Sequence, residues 1–223
     1  MMQLTPNLHA FIWTSSSANN CNTYLIRSKE KNILIDPGHV AYFDHVRDGL
    51  DRLGLSLEDI ALVICTHAHP DHIEAVRLFA DLPSRFTLHG FEWELVQKMA
   101  PMIKNTFKVE LSQFTPDFLL ADGELTIGDI SLNVYHTPGH SPGGVTLYWP
   151  AEKALLTGDL IFNGGLGRTD LPGGNGIQLK QSIRRMAALD VNWLLAGHGD
   201  VISGADAVTA NFTQVEQMWF GYI

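Results

Sequence analysis

The stretch Thr66-His67-Ala68-His69-Pro70-Asp71-His72 places four ligand-type side chains in six positions, between an apolar run and an amphipathic segment. Residues two apart in an extended chain project to one side, so His67 and His69 can present their imidazoles to one cation. Pro70 holds His69 out of the helical region and suits the first turn of a helix that follows. Asp71 and His72, in that turn, point differently, so one short loop serves two neighbouring metals. A lone histidine is ordinarily a hydrogen-bonded core or surface residue. Several packed together without a metal would accumulate positive charge and unpaired polar groups, so the cluster reads as a metal site.

Upstream of this loop, Ile60 to Cys65 is a continuous apolar run suited to a buried strand, and Ser56-Leu57-Glu58-Asp59 before it resembles a helix start. Val40 to Gly54 carries Phe43, Val46, Leu50 and Leu53 at helical spacing, with Gly54 in the C-terminal position. Strands are expected at His9 to Trp13, Thr23 to Arg27 and Asn32 to Asp36, the last ended by Pro37-Gly38. Downstream, Ile73, Val76 and Phe79 predict a helix from Pro70 to Ala80, followed by a strand at Arg85 to Leu88 and a helix at Glu92 to Lys98. Pro101 to Asp117 has no clear period and reads as a loop. Strands return at Glu124 to Ile127, Ile130 to His136, Val145 to Trp149 and Lys153 to Thr157, before the glycine-rich Asn163 to Gly176. A helix over Ile177 to Leu189, a strand at Trp193 to Ala196 and a closing helix carrying Val208, Phe212 and Val215 complete the pattern. Helices following strands in both halves predict an α/β sandwich with the strands stacked centrally and the helices outside.

Three further candidate ligands sit at expected strand ends in small-residue turns: His140 in Thr137-Pro138-Gly139-His140, Asp159 in Thr157-Gly158-Asp159, and His198 in Gly197-His198-Gly199. Together with the first cluster they are what two adjacent cations sharing one bridging carboxylate would need, with positions left for solvent. His9, His39, His45, His89 and His136 lie outside these motifs and read as surface, loop or strand residues with ordinary hydrogen bonding. Trp93 and the Trp219-Phe220 pair read as core or as an oligomer contact. Oligomeric state is not readable from the sequence.

The 223 residues, 45% of them hydrophobic, can bury a sizeable core and are read as one domain spanning 1–223. With 15 Lys+Arg against 24 Asp+Glu, the formal charge of −9 repels phosphate backbones and anionic lipid, so nucleic acid and membrane surfaces are not expected partners. Two cysteines, Cys21 and Cys65, do not make a disulfide framework, and Cys65 reads as a buried thiol. The N-terminus shows no basic or apolar targeting region, and a cytoplasmic location is expected.

Read together, these segments resemble the metallo-β-lactamase-fold hydrolases, from Asn22-Thr23-Tyr24-Leu25-Ile26 through Leu34-Ile35-Asp36-Pro37-Gly38 to His198. The resemblance implies a four-layer αββα sandwich. It implies two divalent metal ions, zinc first, with iron or manganese able to use the same nitrogen and oxygen ligands. His67, His69 and His140 would hold the first metal, Asp71, His72 and His198 the second, and Asp159 would bridge. Asp36 would orient ligand residues. Asp71 would orient the attacking water and handle its proton.

Within that family, a thiol-liganded β-lactamase would place a cysteine at the second metal, and neither Cys21 nor Cys65 matches that motif; β-lactamase activity is disfavoured. Nuclease members with a basic inserted domain are disfavoured too. Gly165-Leu166-Gly167-Arg168-Thr169-Asp170-Leu171-Pro172-Gly173-Gly174 looks like the glyoxalase II-like and persulfide dioxygenase branch. Arg168 would hold a substrate carboxylate, or else pair with Asp170 and shape the loop. Only residues 199–223 follow His198, so the helical C-terminal substrate domain of glyoxalase II proper is not expected. The leading expectation is a compact glyoxalase II-like thioesterase acting on a small molecule, for instance a glutathione thioester. A persulfide dioxygenase with one iron on His67, His140 and Asp159, or a lactonase, stands second.

Overall fold

Alternating apolar residues give each central strand two buried faces, and that alternation builds the layers. The computed structural model describes the backbone of residues 1–107 and 110–223, and the side chains of these except 102–107. The first sheet runs in chain order: β1 (Met2–Thr5), β2 (Leu8–Phe11), β3 (Thr23–Arg27), β4 (Asn32–Ile35), β5 (Leu62–Ile64), β6 (Arg85–His89) and β7 (Phe118–Leu120). β1 to β4 are antiparallel neighbours, whereas β4 to β7 pair in parallel and need crossovers. Those crossovers carry α1 (Asp44–Arg52), α2 (Pro70–Ile73) and α3 (Gly90–Phe107).

The second sheet contains β8 (Gly123–Ile127), β9 (Ile130–His136), β10 (Val145–Trp149) and β11 (Ala154–Gly158) as an antiparallel meander. A two-stranded hairpin follows, β12 (Ile161–Phe162) with β13 (Gly165–Leu166). Helix α4 (Gly176–Met186) then returns the chain to β14 (Trp193–Ala196), which lies parallel to β11; β15 (Ile202–Ser203) and α5 (Ala205–Trp219) close the fold.

Three apolar clusters separate four layers. Leu25, Leu34 and Val63 point outward from the first sheet onto Phe43, Val46 and Leu50 of the α1 layer. Tyr24, Ile26, Ile33 and Ile35 point the other way, against Leu132, Val134, Leu147 and Leu156 of the second sheet. Leu155 and Leu194 face Leu179, Ile183, Phe212 and Val215 of α4 and α5. This is the αββα sandwich expected from the resemblance.

Several element boundaries differ from the sequence expectation. The predicted Pro101–Asp117 loop is helical as far as Phe107, with Pro101 inside α3, and a 3-10 turn occupies Leu111–Phe114; the part of the prediction at 108–109 lies outside the described residues. Proline removes one backbone donor and crowds the carbonyl four residues back, a local cost that does not end α3 at Pro101. The helix expected over Pro70–Ala80 changes to 3-10 geometry at Glu74–Phe79, and Val40–Tyr42 forms a separate 3-10 turn before α1. The glycine-rich segment hides the β12–β13 hairpin. The Ser56-to-Asp59 motif forms a reciprocal capping box.

Candidate metal centre

The seven candidate ligands arrive at one rim of the sandwich because each follows a strand that ends there. His67, His69, Asp71 and His72 follow β5, His140 lies in the β9–β10 turn, Asp159 follows β11 and His198 follows β14. Cross-sheet backbone bonds fix this rim: the Val145 N–H donates to the Thr66 carbonyl (2.9 Å) and the Asn22 N–H to the Gly197 carbonyl (2.7 Å).

Two groups with facing donor atoms result, His67–His69–His140 and Asp71–His72–His198, and His67, His72 and Asp159 form a third group spanning them. His69 Nδ1 lies 2.8 Å from His140 Nε2, and His72 Nε2 lies 3.4 Å from His198 Nε2. Asp159 reaches both sides, with Oδ1 3.3 Å from His72 Nε2 and Oδ2 3.5 Å from His140 Nε2 and 3.4 Å from His198 Nε2. Gly197 permits this approach, because a Cβ there would strike Asp159 Oδ1 and the His72 ring. The chemistry suits a cation: His67 Nε2 and Asp159 Oδ1 are buried with no hydrogen-bond partner, and the donors are all imidazole nitrogens or carboxylate oxygens.

Outer partners set which ring nitrogen is free. The Asp36 carboxylate, buried at 2% exposure, accepts the Thr66 N–H (2.7 Å), the Thr66 hydroxyl (2.7 Å) and His72 Nδ1–H (3.0 Å). With its proton committed to Asp36, Thr66 Oγ1 accepts His67 Nδ1–H at 3.1 Å. His140 Nδ1 donates to the Arg168 carbonyl at 2.7 Å. The neutral form of each of these three rings therefore carries its lone pair on Nε2, the nitrogen turned toward the other candidate ligands. Asp36 occupies the left-handed region at φ 53°, a conformation in which its carboxylate meets these three donors.

Electrostatics divide the two groups. Burial, reinforced by His72, holds His67 well below the usual histidine range, and burial with His140 brings His69 down to about 4; both are neutral. Burial disfavours the charged form of His198 too, yet hydrogen bonds to Asp159 and Asp71 outweigh it and raise the ring to about 9. His72 is likewise raised despite burial, by Cys21, Asp159 and Asp36. Asp71 and Asp159 are buried, which works against ionisation, but the neighbouring histidines hold both below the ordinary carboxylate range.

Beside the cluster lies a cavity of about 500 Å³ whose lining includes Phe162, Leu166, Leu171, Asn19 and Arg168. Asn19 donates to Asp71 Oδ2 at 2.8 Å. The Arg168 guanidinium is paired with Asp170 through two bonds (2.7 and 2.5 Å), both side chains being exposed. Arg168 thus acts on the cluster through its backbone carbonyl, a contact with no sequence signature. Sequence reasoning also missed Glu92, whose buried carboxylate accepts backbone N–H groups from both His-bearing loops.

Outside the site, His39 pairs with Glu74, His45 Nδ1 with the Tyr42 carbonyl, and His136 Nε2 with the Pro142 carbonyl, as ordinary hydrogen bonding predicts. His9 departs from it: the ring is buried in β2 with neither nitrogen bonded, and nothing among the described residues explains this. Cys21 and Cys65 are buried free thiols.

A sequence profile of the metallo-β-lactamase superfamily matches residues 17–198. A probable metallo-hydrolase of Methanocaldococcus jannaschii is 34% identical over 192 residues, 81% of this chain and 88% of that protein. A hydroxyacylglutathione hydrolase of Haemophilus influenzae is 30% identical over 81% of this chain and 85% of its own. The solved structure of a B3 metallo-β-lactamase superposes with a TM-score of 0.71 at 30% identity, over 88% of this chain and 91% of that one. The chain belongs to the metallo-β-lactamase superfamily, and its class is that of a metallo-hydrolase. No helix among the described residues is long and apolar enough to cross a membrane.

Proposed function

We propose that the chain, acting as a single 1–223 unit, is a glyoxalase II-like thioesterase that uses two divalent cations, zinc first. His67, His69 and His140 would hold one, Asp71, His72 and His198 the other, and Asp159 would be shared between them. The observation that carries this reading is the division of the seven donors into two facing groups joined through Asp159, beside an open cavity that Phe162, Leu166 and Leu171 help to line. The similarity to a hydroxyacylglutathione hydrolase supports the thioester as substrate. When bound, the cations supply Lewis acidity and a water of lowered pKa at neutral pH.

The chain's own residues do the rest. Asp71, fixed by Asn19, presents a carboxylate at the cleft that orients the attacking water and takes up its proton. Phe162, Leu166 and Leu171 exclude water and hold the acyl portion. Arg168 receives a substrate carboxylate by exchanging it for Asp170; an exposed pair of this kind is screened by solvent and weak, so exchange is inexpensive. Arg168→Ala then raises KM for a carboxylate-bearing thioester and changes kcat little.

The test is elemental analysis of aerobically and anaerobically purified protein, coupled to assays on S-D-lactoylglutathione, glutathione persulfide, a lactone and a β-lactam. About two metals per chain with thioester hydrolysis abolished in Asp159→Ala supports the reading. One iron with oxygen uptake on the persulfide establishes a dioxygenase instead. Turnover of the β-lactam or lactone in preference to the thioester moves the assignment to that substrate. Full activity in Asp159→Ala sinks the metal assignment itself.

A further inference from the structure

Glu92 stands in the first turn of α3, where β6 delivers the chain to the same rim as β5. It is 0% exposed. A buried carboxylate costs several kcal/mol unless its oxygens are bonded, and both of these are. Oε2 accepts the N–H of Ala68 at 2.8 Å and Oε1 accepts the N–H of Gly143 at 2.7 Å. Ala68 lies between His67 and His69; Gly143 closes the turn that carries His140. One side chain thereby joins the two loops that supply the three histidines of the first group.

The approach is tight by construction. A Cβ on Gly143 would come within 2.6 Å of the Glu92 nitrogen and 3.0 Å of its Cγ, so only glycine admits the loop to this depth. Burial pushes the Glu92 carboxyl up, while the neighbouring Ser141 hydroxyl and the Ala68 and Gly143 amides favour the charged form. Both oxygens accept an N–H, an arrangement that the charged form serves without a proton to place. The start of α3 also favours a negative charge at this position.

We infer that Glu92 is a positioning residue that sets the separation of His69 and His140 and so fixes the affinity and geometry of the first cation site. The inference rests on the metal assignment of the proposed function. Glu92 touches neither cation nor substrate; it holds in place the backbone from which the imidazoles project, and its charge adds attraction for a cation a short distance away. The nearby Glu94 on the same helix, exposed and 4.0 Å from Lys98, offers a control of equal charge without either tie.

The test uses Glu92→Gln, which keeps the shape but turns an amide NH2 toward a backbone N–H, so only one loop stays tied. In the full chain carrying His198→Ala, to disable the second site, cobalt(II) is titrated into chelator-stripped protein. Its visible absorption bands are followed, and unfolding midpoints are measured on the same metal-free samples. The expected result is one cobalt per chain in the His198→Ala background, and an affinity about 10- to 100-fold weaker with altered bands once Glu92→Gln is added. Glu94→Gln leaves both unchanged. A purely structural glutamate would lower the unfolding midpoint while the folded protein kept its affinity and bands, and that result overturns the inference. If the His198→Ala protein binds no cobalt at all, the metal assignment fails and this inference falls with it. Binding that is indifferent to Glu92→Gln sinks the inference alone.

Discussion

At the scale of single residues, the arrangement depends on carboxylates that have no ligand role in the reading above. Asp36 takes three hydrogens from two residues, and through Thr66 and His72 it fixes tautomers in both donor groups. Asp36→Asn keeps one acceptor oxygen and turns two hydrogens toward existing donors. The metal-free protein should lose about 1–3 kcal/mol in denaturant unfolding, from a buried donor left without an acceptor. Divalent cation affinity, measured by chelator competition, should fall about 10- to 100-fold. An affinity within twofold of wild type would show that Asp36 only shapes the Pro37-Gly38 turn. Asp36 was legible because it precedes Pro-Gly at a strand end inside a recognisable pattern. Glu92 was not legible, because its partners are backbone amides, and backbone partners leave no trace in side-chain identity. Arg168 shows the converse: its side chain drew the reading, while its carbonyl makes the contact with His140.

At the scale of elements, the second group depends on how the first sheet grips the end of β14. The Ala196 carbonyl accepts the Tyr24 hydroxyl at 2.7 Å and Asn22 Nδ2 at 3.1 Å, and Asn22 Nδ2 also reaches the Gly199 carbonyl at 2.8 Å. Asn22 Oδ1 in turn accepts the Trp13 N–H at 2.9 Å. Tyr24→Phe removes one bond and leaves the Ala196 carbonyl its Asn22 donor, so it should cost about 1 kcal/mol. Asn22→Ala strips bonds from three backbone groups around His198 and should cost about 2–3 kcal/mol, with weaker cation binding at Asp71, His72 and His198. Equilibrium unfolding of both variants ranks them; the reverse order would mean that the β14 end is held by something other than Asn22. The strands that carry ligands were legible because short apolar runs end at each one in a turn of small residues or a ligand cluster. The break in the helix after Ile73 was not, since Val76 and Phe79 are apolar in either helical geometry and the switch is imposed by tertiary hydrogen bonds such as Ala75 N–H to the Gly38 carbonyl, 2.7 Å. The reach of α3 past Pro101 was missed for a similar reason: a proline is a probable helix boundary, not a compulsory one.

At the scale of the whole molecule, protons stand in for cations when no metal is bound, and this makes stability depend on pH in both directions. His198, raised to about 9 from an ordinary 6.5, binds its proton more tightly in the folded chain. That contribution is fully present below pH 6.5 and is lost as pH rises through about 9. His69, lowered to about 4, behaves oppositely: between pH 6.5 and about 4 the unfolded chain takes up a proton that the folded chain refuses, so stability falls as pH falls through that window. The chelator-treated protein should therefore have its highest melting temperature near pH 6.5. Loading with a divalent cation replaces the protons on His72 and His198, which removes the alkaline loss. It steepens the acid one, because protons must then compete with the cation for every imidazole. Melting temperatures from pH 4 to 10, with and without cation, measure both limbs, and His198→Ala in the chelated protein should flatten only the alkaline limb. A metal-free profile that rises steadily from pH 6.5 to 9 would mean that His198 does not hold its proton between Asp71 and Asp159, and that the two aspartates are neutralised in another way.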